Sequence, residues 1–121
     1  MSIKTKFINI RDNYVKNQVQ RLKLPEFPLD NICRYEIIFS GRVQHVGFRL
    51  EVCELAKRLD LTGFCKNLQD GTVLAEIQGP DNKIQYLISF MESLVRIKIR
   101  EKQIKELKVR EGEAEFKKCQ V

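Results

Sequence analysis

The chain has 121 residues, enough for one domain whose hydrophobic core needs no disulfide or metal to hold it together. It carries 22 Lys and Arg against 16 Asp and Glu, a formal net charge of +6, which favours anionic partners. There is no dense basic stripe, which argues against nucleic acid, and no apolar run approaches the ~20 residues of a membrane span or forms a signal peptide. We therefore expect a cytoplasmic protein.

The cysteines and the histidine give no sign of a metal site. Cys33, Cys53, Cys65 and Cys119 include no Cys-x-x-Cys pair, and the chain has one histidine. Structural zinc sites are built from four Cys or His ligands, usually in closely spaced pairs. We predict reduced thiols and no zinc.

The first 30 residues are predicted to form an N-terminal extension. Apolar residues at 8, 15, 19 and 22 share one face of a modest amphipathic helix within residues 1–24. Pro25 and Pro28 then end any helix and favour an extended linker. The helix would either pack on the following domain or fray; a contact with another subunit or partner is the alternative.

Residues 31–121 are predicted to form a single domain that begins with a strand, a loop and a helix. Tyr35, Ile37 and Phe39 alternate with polar residues, as in a half-buried strand over 34–39. A glycine-containing loop follows over 40–47, and from Phe48 apolar residues recur at helical spacing as far as Asp60. The pattern predicts a strand at one end of this loop and a helix at the other.

The second half of the domain repeats strand and helix signals. A strand over 61–68 runs into Asp70-Gly71, a strong hairpin signal, and an alternating strand over 73–77 follows. A second amphipathic helix is predicted from Asp81 to Val95, an edge strand around 104–109 and a short last strand over 114–119. Residues 95–101 fit either the helix or a strand.

The order of these elements predicts an α+β fold of the ferredoxin-like βαββαβ type, with one extra strand and the N-terminal helical extension. In this arrangement two right-handed crossovers place both helices on one face of a four-stranded sheet. The first and third strands of the domain are expected to pair in parallel at its centre.

The loop between the first strand and helix carries the clearest chemical signal. Gly41 and Gly47 bracket it, and Arg49 lies in the first turn of the helix. Backbone N–H groups in such a loop, together with the unpaired N–H groups and partial positive charge of a helix N-terminus, can hold an anion. From these residues alone, a phosphate or carboxylate site and an ordinary turn both remain open.

Several motifs together resemble the acylphosphatase family. They are Gly41-Arg42-Val43-Gln44-His45-Val46-Gly47-Phe48-Arg49, then Leu61-Thr62-Gly63-Phe64, Lys66-Asn67-Leu68, Asp70-Gly71-Thr72-Val73 and Gln78-Gly79-Pro80. The resemblance extends from Arg34 to about Cys119. It implies a hydrolase that splits the carboxyl-phosphate bond of small acyl phosphates into a carboxylate and inorganic phosphate, with no metal or cofactor.

The resemblance also implies the roles of particular residues. Arg49 would bind the phosphoryl group, Asn67 would position the attacking water, and the backbone N–H groups of Val43, Gln44, His45, Val46, Gly47 and Phe48 would cradle the phosphoryl oxygens. Arginine offers a planar fork of donors that matches phosphate, and asparagine can hold a water without being a base. The strand that carries Asn67 should bring it beside the loop.

His45 departs from the family pattern, which usually has glycine at this position. A positive φ there would cost roughly 1 to 2 kcal/mol and could distort the cradle, whereas an ordinary backbone would make histidine harmless; we expect the ordinary backbone. The alternative function is a catalytically impaired acylphosphatase-like module that binds phosphate, other anions or a partner.

RNA binding is a third possibility, because RNA-recognition modules share the βαββαβ order. Those modules stack bases on aromatic residues of their open sheet face. Here the two central strands offer no aromatic residue on that face and no RNP1 pattern, which makes nucleic acid an improbable partner.

Overall fold

The structure is a computed structural model that describes residues 2–119, without the side chain of Cys119. Its elements, in chain order, are α1 (Ile3–Arg21), β1 (Ile32–Arg42), α2 (Phe48–Arg58), β2 (Thr62–Asn67), β3 (Val73–Pro80), α3 (Asp81–Ser93), β4 (Lys98–Leu107) and β5 (Phe116–Cys119). Segment 95–101, which fitted either helix or strand in the sequence, lies outside α3 and joins β4 from Lys98 onward. The predicted βαββαβ order is therefore present, with α1 before it and β5 after it.

The strands form one mixed sheet in the order β4-β1-β3-β2-β5. β1 and β3 are neighbours, as predicted, but they pair antiparallel, with Ile37 opposite Ala75. The predicted parallel pairing is wrong because the crossover through α2 gives β1 and β2 the same direction. The hairpin after β2 then reverses β3, which lies between them and pairs antiparallel with both. β4 is antiparallel to β1 and β5 is parallel to β2.

The hydrophobic core lies between the sheet and the helices α2 and α3. Alternate residues of β1, β2 and β3 are buried against both helices in one continuous cluster, which includes Ile37, Phe39, Val52, Leu55, Cys65, Val73, Ala75, Ile77, Ile84 and Leu87. Burial of each large aliphatic or aromatic side chain stabilises the fold by roughly 1.5–3 kcal/mol. The prediction that both helices cover one face of the sheet is confirmed.

Helix α1 packs against α2. Its Val15 and Val19 are fully buried, and the side chain of Ser2 caps its first turn by accepting from Thr5 N at 3.1 Å. At its other end, Arg58 Nη1 of α2 donates to Val19 O at 2.7 Å and to the carbonyl of residue 22 at 2.8 Å. These contacts satisfy carbonyls that a helix C-terminus leaves without partners, so both ends of α1 are fixed.

The segment between α1 and β1 contains neither helix nor strand, and it docks on α3. Phe27 packs edge-to-face on Tyr86 with ring centroids 5.5 Å apart. Asp30 Oδ2 accepts from the backbone N of Asn82 at 2.9 Å, in the first turn of α3. A carboxylate at this position satisfies one of the helix's unpaired N–H groups and complements its dipole.

The face of the sheet opposite the helices is partly covered by the connection from β4 to β5. Arg34, 2% exposed, forms a bidentate pair with Glu113 of that connection at 2.9 and 3.2 Å and a second pair with Glu76 at 3.0 Å. Gln78 adds two hydrogen bonds to the backbone of Arg110. An ion-paired cover over the central strands is unlike an open surface for stacking bases.

Candidate active site

The loop of residues 43–47 follows the end of β1, close to an irregularity in the pairing of β1 with β4. The pairing of β1 with β4 shifts register between Ser40 and Gly41, as in a β-bulge. Gly41 has φ +124°, and a Cβ built on it would lie 2.1 Å from Lys98 O. Only glycine fits this conformation and this close approach, so the bulge that directs the loop depends on Gly41.

Two residues of the loop have left-handed backbone conformations. His45 has φ +63° and Gly47 has φ +81°. The expectation of an ordinary backbone at His45 is therefore wrong. Left-handed residues that alternate with right-handed ones turn successive N–H groups toward a common concavity, which binds anions. Histidine tolerates a positive φ better than most residues do.

Three side chains, one from the loop itself and two from outside it, hold this loop by its polar groups. Gln44 Nε2 donates to Leu68 O and Thr72 O, both at 2.8 Å, which ties the loop to the β2–β3 hairpin. Arg11 Nη1 of α1 donates to His45 O at 3.3 Å. Arg96, just before β4, donates through Nε to the carbonyl of residue 46. The loop is thus fixed by contacts with residues distant in sequence.

A buried ion pair stands behind the loop. Glu51, in α2, is fully buried, and its Oε1 accepts from Arg96 Nη2 at 3.0 Å. Burial raises the pKa of the Glu51 carboxyl, and the hydrogen bond and charge of Arg96 oppose that rise. Because the same guanidinium reaches the loop carbonyl and Glu51, the carboxylate orients the arginine that holds the loop.

Arg49 and Asn67 line one cleft with the loop. The cleft has a volume of about 660 Å³, and the loop contributes Val43, His45, Gly47 and Phe48 to its wall. Arg49 comes from the first turn of α2, and Asn67, 8% exposed, is the last residue of β2. Of the predicted cradle, Gln44 and Val46 do not line the cleft; the Gln44 side chain turns to the hairpin. The structure brings the remaining predicted residues together.

Comparisons with known proteins agree with this geometry. The Acylphosphatase family model matches residues 35–118. The chain belongs to the acylphosphatase family. An acylphosphatase of Clostridium beijerinckii is 39% identical over 87 residues, which cover 69% of this chain and 93% of that protein. An acylphosphatase of Geobacillus kaustophilus is 38% identical over 85 residues, 69% of this chain and 90% of that one.

A solved acylphosphatase has the same fold. The crystal structure of acylphosphatase from Bacillus subtilis superposes with a TM-score of 0.67 at 33% identity, over 72% of this chain and 98% of that one. The predicted family, the hydrolase class and the ferredoxin-like fold are confirmed.

The acylphosphatase match includes the loop, Arg49 and Asn67, but it begins after α1. Yet five residues of α1, namely Lys4, Phe7, Ile8, Arg11 and Asp12, line the same cleft, and Lys118 of β5 joins them. Sequence analysis missed all six. The amphipathic pattern of α1 predicted a helix, but nothing local in the sequence indicated which surface it would cover.

Other kinds of site find no support in the part of the chain that the structure describes. Across residues 2–119 no three His, Cys, Asp or Glu side chains cluster as ligands for a metal ion. None of the helices described there combines the length and the apolar character that crossing a membrane requires.

Proposed function

We propose that the chain hydrolyses small acyl phosphates in this cleft, releasing a carboxylate and inorganic phosphate. The observation that carries the proposal is that Arg49 and Asn67, from a helix and a strand, line one cleft with the loop at the N-terminus of α2. No cofactor enters the reaction. A cytoplasmic location remains a prediction from the sequence.

The loop is proposed to bind the phosphoryl oxygens through its backbone. A trans peptide points its C=O and N–H in opposite directions. Arg11 holds His45 O and Arg96 holds the next carbonyl, so the two peptide groups that carry the N–H groups of Val46 and Gly47 keep a fixed orientation. The N-terminus of α2 adds its partial positive charge. These groups are in place before substrate arrives, so little reorganisation is needed.

Arg49 and Asn67 are proposed to complete the reaction. The guanidinium of Arg49 would hold two phosphoryl oxygens with parallel hydrogen bonds and stabilise the charge that they carry in the transition state. The amide of Asn67 would place a water in line with the bond that breaks. The leaving carboxylate is a weak base, so it departs without a strong general acid. Positioning and charge stabilisation therefore suffice.

A continuous assay of benzoyl phosphate hydrolysis, with and without a metal chelator, tests this proposal. We expect chelator-resistant turnover that Arg49→Ala and Asn67→Ala each reduce by at least about 100-fold, since each removes a group that acts on the reacting atoms. Arg100→Ala and Asn13→Ala are matched controls, because both residues are exposed and lie outside the cleft. Circular dichroism would confirm that all four variants are folded.

Two results would count against the proposal. Turnover that survives both cleft substitutions would place the reaction elsewhere. A folded native protein that binds inorganic phosphate but hydrolyses nothing would instead favour the impaired module.

A further inference from the structure

Helix α1 lines the same cleft as the loop of residues 43–47. It contacts this loop through Arg11, which donates to His45 O. A Cβ built on Gly47 would meet Arg11 Nε at 3.2 Å, so the guanidinium lies directly over the loop backbone. The buried Val15 and Val19, farther along α1, hold the helix against α2. The helix is therefore anchored and close to the proposed phosphoryl site.

The donors of Arg11 are engaged by the protein. Its Nε and Nη2 donate to Asp12 Oδ1 at 3.2 and 3.1 Å, and its Nη1 donates to the loop carbonyl. A guanidinium held in this way fixes α1 to the loop and is poorly placed to take a second anion. What α1 offers a substrate lies one helical turn nearer its N-terminus.

That turn presents apolar surface to the cleft. Phe7 and Ile8 line it, and the Phe7 side chain is 66% exposed. They precede Arg11 by four and three residues, which places them roughly 5 Å farther along the helix axis. A phosphoryl group and an acetyl group do not need a cleft of about 660 Å³, a volume within the range of sites that enclose much larger ligands. The cleft is larger than these two groups require, and the exposed ring of Phe7 is part of its lining.

We propose that α1 forms an acyl-group subsite, in which Phe7 and Ile8 bind an apolar acyl group larger than acetyl, such as an aromatic or branched aliphatic one. The inference rests on the proposed function, because it assigns the other half of the same substrate. The acyl group leaves the phosphoryl site toward α1 and covers Phe7. An acetyl group ends at its methyl carbon and does not reach this surface, so α1 confers selectivity between acyl phosphates.

Selectivity between benzoyl and acetyl phosphate tests the subsite. In Phe7→Ala the ratio of kcat/KM for benzoyl phosphate to that for acetyl phosphate should fall about fivefold, from the loss of roughly 40 Å² of apolar contact. The change should lie in KM, since the ring binds substrate and transition state alike. Phe7→Leu should keep most of the selectivity. In both variants kcat/KM for acetyl phosphate should fall less than kcat/KM for benzoyl phosphate.

Tyr14→Ala is the matched control. Tyr14 is an aromatic residue of α1 that is 59% exposed and lies outside the cleft. With Ile3, Phe7 and Ile10 it forms an exposed apolar stripe that could dock on another surface instead. An unchanged ratio in Phe7→Ala would overturn the subsite. An equal fall of this ratio in Phe7→Ala and Tyr14→Ala would also overturn it, because the effect would then come from the exposed stripe as a whole and not from the cleft.

Binding of non-hydrolysable analogues separates this inference from the proposed function. By calorimetry the native protein should bind benzoylphosphonate more tightly than acetylphosphonate, and Phe7→Ala should lose about fivefold in the affinity for benzoylphosphonate alone. This measurement decides the subsite even if no substrate is hydrolysed. Equal affinities of the native protein for both phosphonates would overturn it, whatever the catalytic assay shows.

Discussion

The variant His45→Gly removes a side chain from a residue that the loop holds in the left-handed region, at φ +63°. That conformation costs an L-residue roughly 1–2 kcal/mol, and glycine avoids the cost. Against this gain, glycine lowers the free energy of unfolding by about 0.5–1 kcal/mol, because it gives the unfolded chain extra conformational freedom. The His45 side chain is exposed, so little packing is lost. The net expectation is a gain of roughly 0.5–1 kcal/mol in the free energy of unfolding, from the difference of these terms.

Asp60 provides the control for this substitution. It is the other non-glycine residue with positive φ in the part of the chain described, at φ +57°, and it is also exposed. It follows α2, at the end remote from the loop. Asp60→Gly should therefore stabilise the protein by a similar amount without touching the cleft. Denaturant titration measures both free energies, and the thermal midpoint should rise by roughly 2–5 °C in each variant.

The catalytic consequence of His45→Gly decides what the residue does. If the loop requires the conformation and uses only backbone groups at this position, kcat/KM should stay within about twofold of the native value. A tenfold loss would mean that the imidazole takes part in binding or chemistry, and a tenfold gain would mean that it distorts the cradle. Destabilisation by His45→Gly alongside stabilisation by Asp60→Gly would refute the argument from backbone strain.

Three further substitutions test the supports of the loop. Gln44→Ala removes two hydrogen bonds to the hairpin and should lower the free energy of unfolding by roughly 1–3 kcal/mol. It should also lower kcat more than it changes KM. An unaltered kcat would show that Gln44 does not position the loop for catalysis. Gly41→Ala would place a Cβ 2.1 Å from Lys98 O and should lower the free energy of unfolding by at least about 3 kcal/mol. An unchanged free energy of unfolding would contradict the claim that the bulge depends on glycine at this position. The raised pKa of Glu51 means that its contribution to stability is fully present below the unfolded pKa and is lost as pH rises through the folded pKa. Across that pH range the free energy of unfolding should depend less on pH in Glu51→Gln than in the native protein. Equal dependence on pH in the two proteins would show that Glu51 is not the group with the raised pKa.

Much of the fold could be predicted because its signals are local. The alternation of Tyr35, Ile37 and Phe39 and the Asp70-Gly71 turn are fixed by strand geometry and hairpin chemistry. In the structure, Asp70 Oδ1 accepts from both N and Oγ1 of Thr72 at 3.0 and 2.6 Å, which explains why aspartate suits this turn. The direction of β1 against β3 was mispredicted although their adjacency was right, because direction follows from the whole path of the chain rather than from either strand.

The candidate site divides in the same way. Arg49 and Asn67 belong to motifs, so the sequence was enough to propose them, and in the structure they line one cleft. Their roles stay predictions. The positive φ of His45 could not be read from its identity, since histidine occurs in both backbone regions. Arg11 lies 34 residues before the carbonyl that it contacts. Only the packing of α1 on α2 brings the two together, and no periodicity in the sequence specifies that packing.

Two arginines hold the backbone of the loop, and this support would let the proposed reaction proceed with few catalytic groups. Backbone N–H groups stabilise a transition state only if they stay oriented as charge develops. Arg96 and Arg11 each hold one loop carbonyl, and Glu51 holds Arg96 from behind. Arg96 lies within the segment that the family model matches, whereas Arg11 lies outside it. In this chain, part of the support that keeps the loop in place therefore comes from α1, and the same helix that supplies it also lines the cleft.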